Sequence, residues 1–181
     1  MIDLIKNEPE LKDIIVSKCE DNNYCVSLDE QIDKDNIIIL KIDNYYNSSK
    51  MHNPPASVDC LIMQKCCNET YNLYLVELRN IKYCSSIKKD NIIEKFNTTL
   101  DDFMSVRFKH IFLENIDKIM LKLYFITDPL GVVEKNLTQE IIEKKYKDTK
   151  IGFLQSINPF KFGTKYFRIE HKLPNPIIQK C

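Results

Sequence analysis

Val58-Asp59-Cys60-Leu61-Ile62-Met63 and, beyond a polar interval around Asn68-Glu69, Tyr71-Asn72-Leu73-Tyr74-Leu75-Val76-Glu77-Leu78-Arg79 are the stretch that decides the fold. Both runs are rich in Val, Ile, Leu and Tyr and are of strand length, and the interval suits an antiparallel hairpin. With Asn68 at the centre of the turn, residues equidistant from it lie opposite one another, and Asp59 and Glu77 are each nine positions away. Side chains alternate along a strand, so Leu73, Leu75, Glu77 and Arg79 share a face. Two carboxylates opposed at a Cβ separation of about 5 Å repel unless something cationic sits between them. Leu73, Leu75, Val76 and Leu78 mark the second run as a central strand, where an unneutralised carboxylate is costly. Two hard oxygen donors suit Mg²⁺ or Mn²⁺, and the neighbouring guanidinium would stabilise charge on a phosphate or an attacking water. The plainer alternative is a surface ion pair between Glu77 and Arg79, worth at most about 1 kcal/mol.

Upstream of the hairpin, Glu8-Pro9-Glu10 opens a segment whose Leu11, Ile14 and Ile15 recur at helical spacing, which predicts a helix over about 8–20. Ile37-Ile38-Ile39-Leu40-Lys41-Ile42 reads as a buried strand, and the polar, aromatic stretch 43–55 as a loop. Downstream, Ile92, Ile93, Phe96, Leu100, Phe103, Met104, Phe108 and Ile111 keep the spacing of an amphipathic helix, with Asn91 and Glu94 as a capping pair. Lys118–Thr127 reads as a strand buried on both faces, and the crossover helix before it favours parallel pairing. Thr138 caps a shorter helix containing Ile141, Ile142 and Tyr146, and Lys165–His171 alternates like an edge strand. The fold class is therefore α/β (α+β, mixed sheet), in an order α-β-β-β-α-β followed by a C-terminal helix and strand. The 181 residues read as one domain, with no internal repeat or linker.

Lys plus Arg and Asp plus Glu balance at 26 each, which excludes a generally basic coat for nucleic acid and leaves any such affinity to a local patch. Only Arg79, Arg107 and Arg168 are arginines. The start of the chain lacks a secretory pattern and no segment has the length of a membrane span, so a cytoplasmic location is expected. The seven cysteines, an odd number, are expected as reduced thiols, and those at 60, 66, 67 and 84 lack the paired spacing of a zinc site. Three glycines and no Gly-rich loop make a nucleotide cofactor improbable.

Asp59, seventeen intervening residues and then Glu77-Leu78-Arg79, set between an N-terminal helix and a strand-helix-strand continuation, resemble the PD-(D/E)xK nuclease superfamily. The resemblance covers about residues 8–127, leaving 128–181 as an extension. It implies a restriction-endonuclease-like αβββαβ core and Mg²⁺- or Mn²⁺-dependent hydrolysis of phosphodiester bonds. It also implies metal ligands at Asp59, Glu77 and the Leu78 carbonyl. A Glu on the first helix often joins such ligands, and Glu10 is chosen over Glu8 and Glu20. The partner implied is DNA, and one active site per small chain favours a homodimer for cutting both strands.

Two positions depart from the pattern. Val58 stands where the motif has Pro, and Arg79 where it has Lys, in a chain with twenty-three lysines. A guanidinium binds phosphate in a fork but is too basic to exchange a proton with water near neutrality. Either Arg79 acts only electrostatically, or Lys82 substitutes as the base, or the site is degenerate and the chain is an inactive nucleic-acid-binding or protein-interaction module. Lys88, Lys89, Lys161 and Lys165 are candidate phosphate contacts, and the stretch 160–166 reads as a turn into the last strand.

Overall fold

The computed structural model describes the chain apart from residues 49–51, 134, 136, 148 and 155–156 and the side chains at 139, 143, 150 and 153. Two short helices, α1 (Ile2–Asn7) and α2 (Pro9–Lys12), lead into strands β1 (Ile15–Val16), β2 (Cys19–Asp21) and β3 (Tyr24–Leu28). Then come β4 (Ile37–Lys41), α3 (Ile42–Asn47), β5 (Cys60–Lys65), β6 (Tyr71–Leu78) and α4 (Lys89–Asn97). After α4 the chain continues as a π-helical stretch, Thr98–Arg107. The remaining elements are β7 (Ile119–Ile126), α5 (Gln139–Tyr146), α6 (Lys150–Leu154), β8 (Phe160–Phe162), β9 (Lys165–Phe167), β10 (Ile169–Lys172) and β11 (Ile177–Ile178).

A six-stranded mixed sheet, ordered β1-β4-β5-β6-β7-β10, carries the architecture. β4, β5 and β6 pair antiparallel, while β7 runs parallel to β6, as the crossover helix between them requires. β10 closes the sheet as an edge strand parallel to β7. Strand alternation divides the sheet into two packed faces. Leu61, Met63, Leu73, Leu75, Leu121 and Leu123 join Phe96, Phe103 and Phe112 in the larger core, on the side of α4. Ile39, Ile62, Tyr74, Val76, Leu78 and Ile126 face Cys19, Val26 and Ile178 of the small sheet β11-β3-β2. Each such fully buried aliphatic or aromatic side chain stabilises the fold by roughly 1.5–3 kcal/mol relative to exposure.

Several expectations are corrected. The segment 8–20 is helical only to Lys12; Ile15 and Val16 instead pair with Leu40 and Ile39. Leu11 and Ile14 are buried as the helical spacing requires, but the β-branched run Ile14-Ile15-Val16 is recruited to the sheet edge. The expected loop 43–55 begins as α3, which buries Tyr45 and Tyr46; its residues 49–51 lie outside those described. The expected helix over 90–111 keeps its apolar face but changes its winding. The Phe108 N–H reaches back five residues to the Phe103 carbonyl (3.0 Å), and Ser105 Oγ donates to the Leu100 carbonyl (2.6 Å). Its N-cap is Lys88, so Asn91 lies within the first turn rather than ahead of it. The stretch 165–171 divides between β9, paired with β8 in a hairpin, and β10. That hairpin turns at Gly163, whose φ of +57° favours glycine.

Four of the seven cysteines are paired, Cys19 with Cys60 and Cys66 with Cys181, against the expectation of reduced thiols. The partners lie 41 and 115 residues apart, and sheet packing brings them together.

Candidate functional site

The hairpin turn places Asn68 and Glu69 in the left-handed region (φ 57° and 56°), and from there β5 and β6 run in the register set by that centre. Cys60 pairs with Val76, so the next residue outward on each strand sets Asp59 opposite Glu77. The backbone is held on either side of Asp59: its carbonyl accepts from Ile42 N–H (2.9 Å), and the N–H of the preceding residue, Val58, donates to Thr99 Oγ1 (3.3 Å). One carboxylate oxygen of Asp59 accepts a 2.6 Å bond from the Leu78 amide. The observed contact of Leu78 is thus through its N–H.

Glu77 is fully buried and Asp59 is 8% exposed. What makes this tolerable is Lys95, a residue of α4 whose Nζ lies 2.9 Å from each oxygen of Glu77 and 4.0 Å from Asp59 Oδ1. The Lys95 carbonyl also accepts from Thr99 Oγ1 (2.9 Å), so the helix turn bearing the ammonium is tied to the segment that leads through Asp59 into β5. Arg79 approaches Glu77 Oε1 from the solvent side, with Nε at 2.6 Å. Its backbone is pinned to β7: Arg79 N–H donates to Ile126 O (2.9 Å), and Thr127 Oγ1 donates to Arg79 O (2.6 Å). Its Nη2 donates to Asn91 Oδ1 at 3.2 Å.

Burial, and then the nearby Asp59, push Glu77 up from 4.5 to about 7, while Lys95 and Arg79 pull the other way. Asp59 is also raised by burial, against the pull of Lys95 and the Leu78 amide. Glu77 Oε1 lies close to two cationic nitrogens yet receives no well-aligned hydrogen bond among the described residues. A metal ion bound at this oxygen would have to take the place of one of those two nitrogens. The donor set is two carboxylates with no nitrogen or sulfur, the hardness that Mg²⁺ and Mn²⁺ take. Among the described residues no three His, Cys, Asp or Glu side chains converge as a ligand cluster.

The other candidate residues lie elsewhere. Glu10 accepts from Tyr45 OH (2.9 Å) and lines a cavity of about 520 Å³ with Arg107. Arg107 there sits over the rings of Tyr45 and Tyr46 and pairs with Asp102 at 2.6 Å. This network ties α2 and α3 to the π-helical stretch, and no described contact joins Glu10 to the carboxylate pair. Lys82 is exposed beyond the end of β6. Lys88 lines a cavity with Arg79, while Lys89 and Lys161 line another, of about 430 Å³, on the other flank of α4. Lys165 donates to the Ile116 carbonyl (2.9 Å) and anchors the β8–β9 hairpin.

Lys95 is the residue that sequence reasoning missed. Its signal was a lysine three residues after Ile92 and four before Thr99, within the buried stripe of an otherwise apolar helix face. Compared with protein-family models, with curated proteins and with solved structures, the chain matches none. Among the described residues no helix is long and apolar enough to cross a membrane.

Proposed function

We propose that this chain is a divalent-metal-dependent DNA endonuclease of the restriction-endonuclease-like fold, with a restriction or genome-defence role and a homodimeric form for cutting both strands. The observation that carries the reading is the pair Asp59 and Glu77, opposed across β5–β6 with the Lys95 ammonium between them. The succession of β4, β5 and β6 with α4 and a parallel β7 is compatible with the αβββαβ core.

In this reading Asp59 and Glu77 hold Mg²⁺ or Mn²⁺, with the Leu78 carbonyl as the third ligand that the motif implies. The bound cation supplies Lewis-acid polarisation of a phosphoryl oxygen and a lowered pKa for water. Lys95 provides from the helix the ammonium that the motif places two residues after the second acid. An ammonium can donate a proton that a guanidinium holds too tightly to release, so in this reading Lys95 orients the attacking water through its N–H groups and Arg79 holds phosphate charge. The departure at Arg79 is thereby compensated, without recourse to Lys82.

A second reading, an inactive nucleic-acid-binding module, is favoured by one observation: Lys95 and Arg79 already neutralise Glu77 without a cation. Incubation with supercoiled plasmid in Mg²⁺ or Mn²⁺ separates the two. The nuclease reading expects cleavage that is lost in Asp59→Ala and Glu77→Ala. Intact plasmid under both metals, with retained DNA binding that falls as salt rises, would support the inactive module instead.

A further inference from the structure

Beside Arg79 lies a cavity of about 350 Å³, one of whose lining residues, Phe125, is the register partner of Glu77 on β7. Its apolar lining is the half-buried Ile81, with Ile87 and Ile92, each 3% exposed, and the fully buried Phe125 belonging to the core beneath. Its polar lining is cationic and amide: Arg79, Lys88 and Asn91, with the Ser86 hydroxyl. Among the described residues no carboxylate lines it. The Arg79 guanidinium is shared, with Nε on Glu77 and Nη2 on Asn91, so its fork is held at a fixed angle between the carboxylate pair and the cavity. The Asn91 amide keeps an NH₂ group, two donors, beyond the oxygen engaged by Arg79.

An apolar lining shared with two cations is the complement of a molecule with a flat apolar part and an anionic part. The volume suits one small ligand and not a stacked duplex. A lone inorganic phosphate would leave the apolar lining unused, and an apolar ligand would bring no anion to the Lys88 ammonium or to the free edge of the Arg79 guanidinium. A nucleotide satisfies both halves.

We infer that this cavity binds a single unpaired nucleotide of the substrate strand, its base at the apolar lining where Ile81 is accessible and its phosphate on Arg79 and Lys88. The inference rests on the nuclease reading and narrows its substrate class: the strand presented to Asp59 and Glu77 carries an unpaired nucleotide next to the cut, as in single-stranded, frayed or flipped-out DNA. Drawing a base out of a duplex costs a few kcal/mol, least where it is already unpaired. Such a site therefore favours DNA with a mismatch, gap or single-stranded segment.

The test is equilibrium binding of thymidine 5′-monophosphate, thymidine and inorganic phosphate to the metal-free protein, its Lys88→Ala and Ser86→Phe variants, and Asp59→Asn. The monophosphate should bind at least about tenfold more tightly than either fragment, because both halves of the cavity are engaged. Lys88→Ala should weaken it about tenfold, Ser86→Phe should block it, and Asp59→Asn should leave it unchanged. Phosphate binding as well as the monophosphate, or monophosphate binding indifferent to both Lys88→Ala and Ser86→Phe, would overturn the inference. Plasmid cleavage without monophosphate binding would sink the pocket and spare the nuclease; monophosphate binding without cleavage of any DNA would do the reverse.

Discussion

Lys95 Nζ stands 2.9 Å from both oxygens of Glu77, on a helix that the sheet must bury for other reasons. The ion pair is inside the protein, with Glu77 fully buried and the Lys95 side chain 12% exposed, so removing one partner strands the other. Lys95→Met should lower stability by about 3–5 kcal/mol at pH 8, measured by urea unfolding. Lys95→Met/Glu77→Gln should recover much of that loss. Equal losses in the single and double variants would show that the pair is not coupled.

The same pair makes stability depend on pH in a defined direction. Glu77 holds its proton to about 7 in the folded chain but releases it near 4.5 when unfolded. Between those values the folded state binds more protons, so its stability falls as pH rises through the window and levels off above it. Glu77→Gln should flatten this slope, and chemical unfolding at pH 4.5, 6 and 8 would reveal it. A wild-type slope of opposite sign across that window would mean that Glu77 ionises easily in place.

Exchanging the two cations should separate their roles. Arg79→Lys keeps a positive charge beside Glu77, and cleavage should change by only about threefold; Lys95→Ala should lower kcat by at least about a hundredfold. A larger loss in Arg79→Lys than in Lys95→Ala would move the proton-transfer role away from the helix.

Gly163 tests the hairpin that Lys165 anchors. A Cβ at this position would meet Ile116 Cδ1 at 2.5 Å, and φ is already +57°. Gly163→Ala should cost about 1–3 kcal/mol through crowding and backbone strain, read as a drop in Tm. An unchanged Tm would mean that the β8–β9 turn relaxes freely.

Reductant should act in two stages. Cys181 is exposed whereas Cys19 and Cys60 are fully buried, so the Cys66–Cys181 bridge should open first. It closes a loop spanning 115 residues, and its loss should destabilise the protein by about 3–5 kcal/mol. Mass spectrometry after timed alkylation would give the order, and thermal melts with and without dithiothreitol the magnitude.

How much of this was legible in the sequence differs residue by residue. The opposition of Asp59 and Glu77 was readable because a hairpin leaves little freedom: once the turn centre is fixed at Asn68, alternation sets every partner and every face. The parallel pairing of β7 with β6 followed from the crossover helix. Lys95 escaped because periodicity places a helix face against a sheet without saying which turn lies over which strand. The segment 8–20 misled because Leu11, Ile14 and Ile15 make a helical stripe while Ile15 and Val16 equally suit a sheet edge, and pairing with Leu40 and Ile39 decided the matter. The π-helical stretch escaped because Leu100, Phe103, Met104 and Phe108 suit both windings; the difference lies in hydrogen bonds such as Phe108 to Phe103. The disulfides lay beyond reach because their partners meet only through the finished sheet.

Those two bridges also divide the chain mechanically. A force applied between the ends passes along residues 1–19, crosses from Cys19 to Cys60, follows the backbone to Cys66 and leaves through Cys181. Everything from 67 to 180 hangs outside that load path, including Glu77, Lys95 and the cavity lining at Ile87 and Phe125. Pulled in a force spectrometer, the oxidised protein should yield a short extension while the segment bearing Glu77 and Lys95 stays slack; only after reduction should it come under tension.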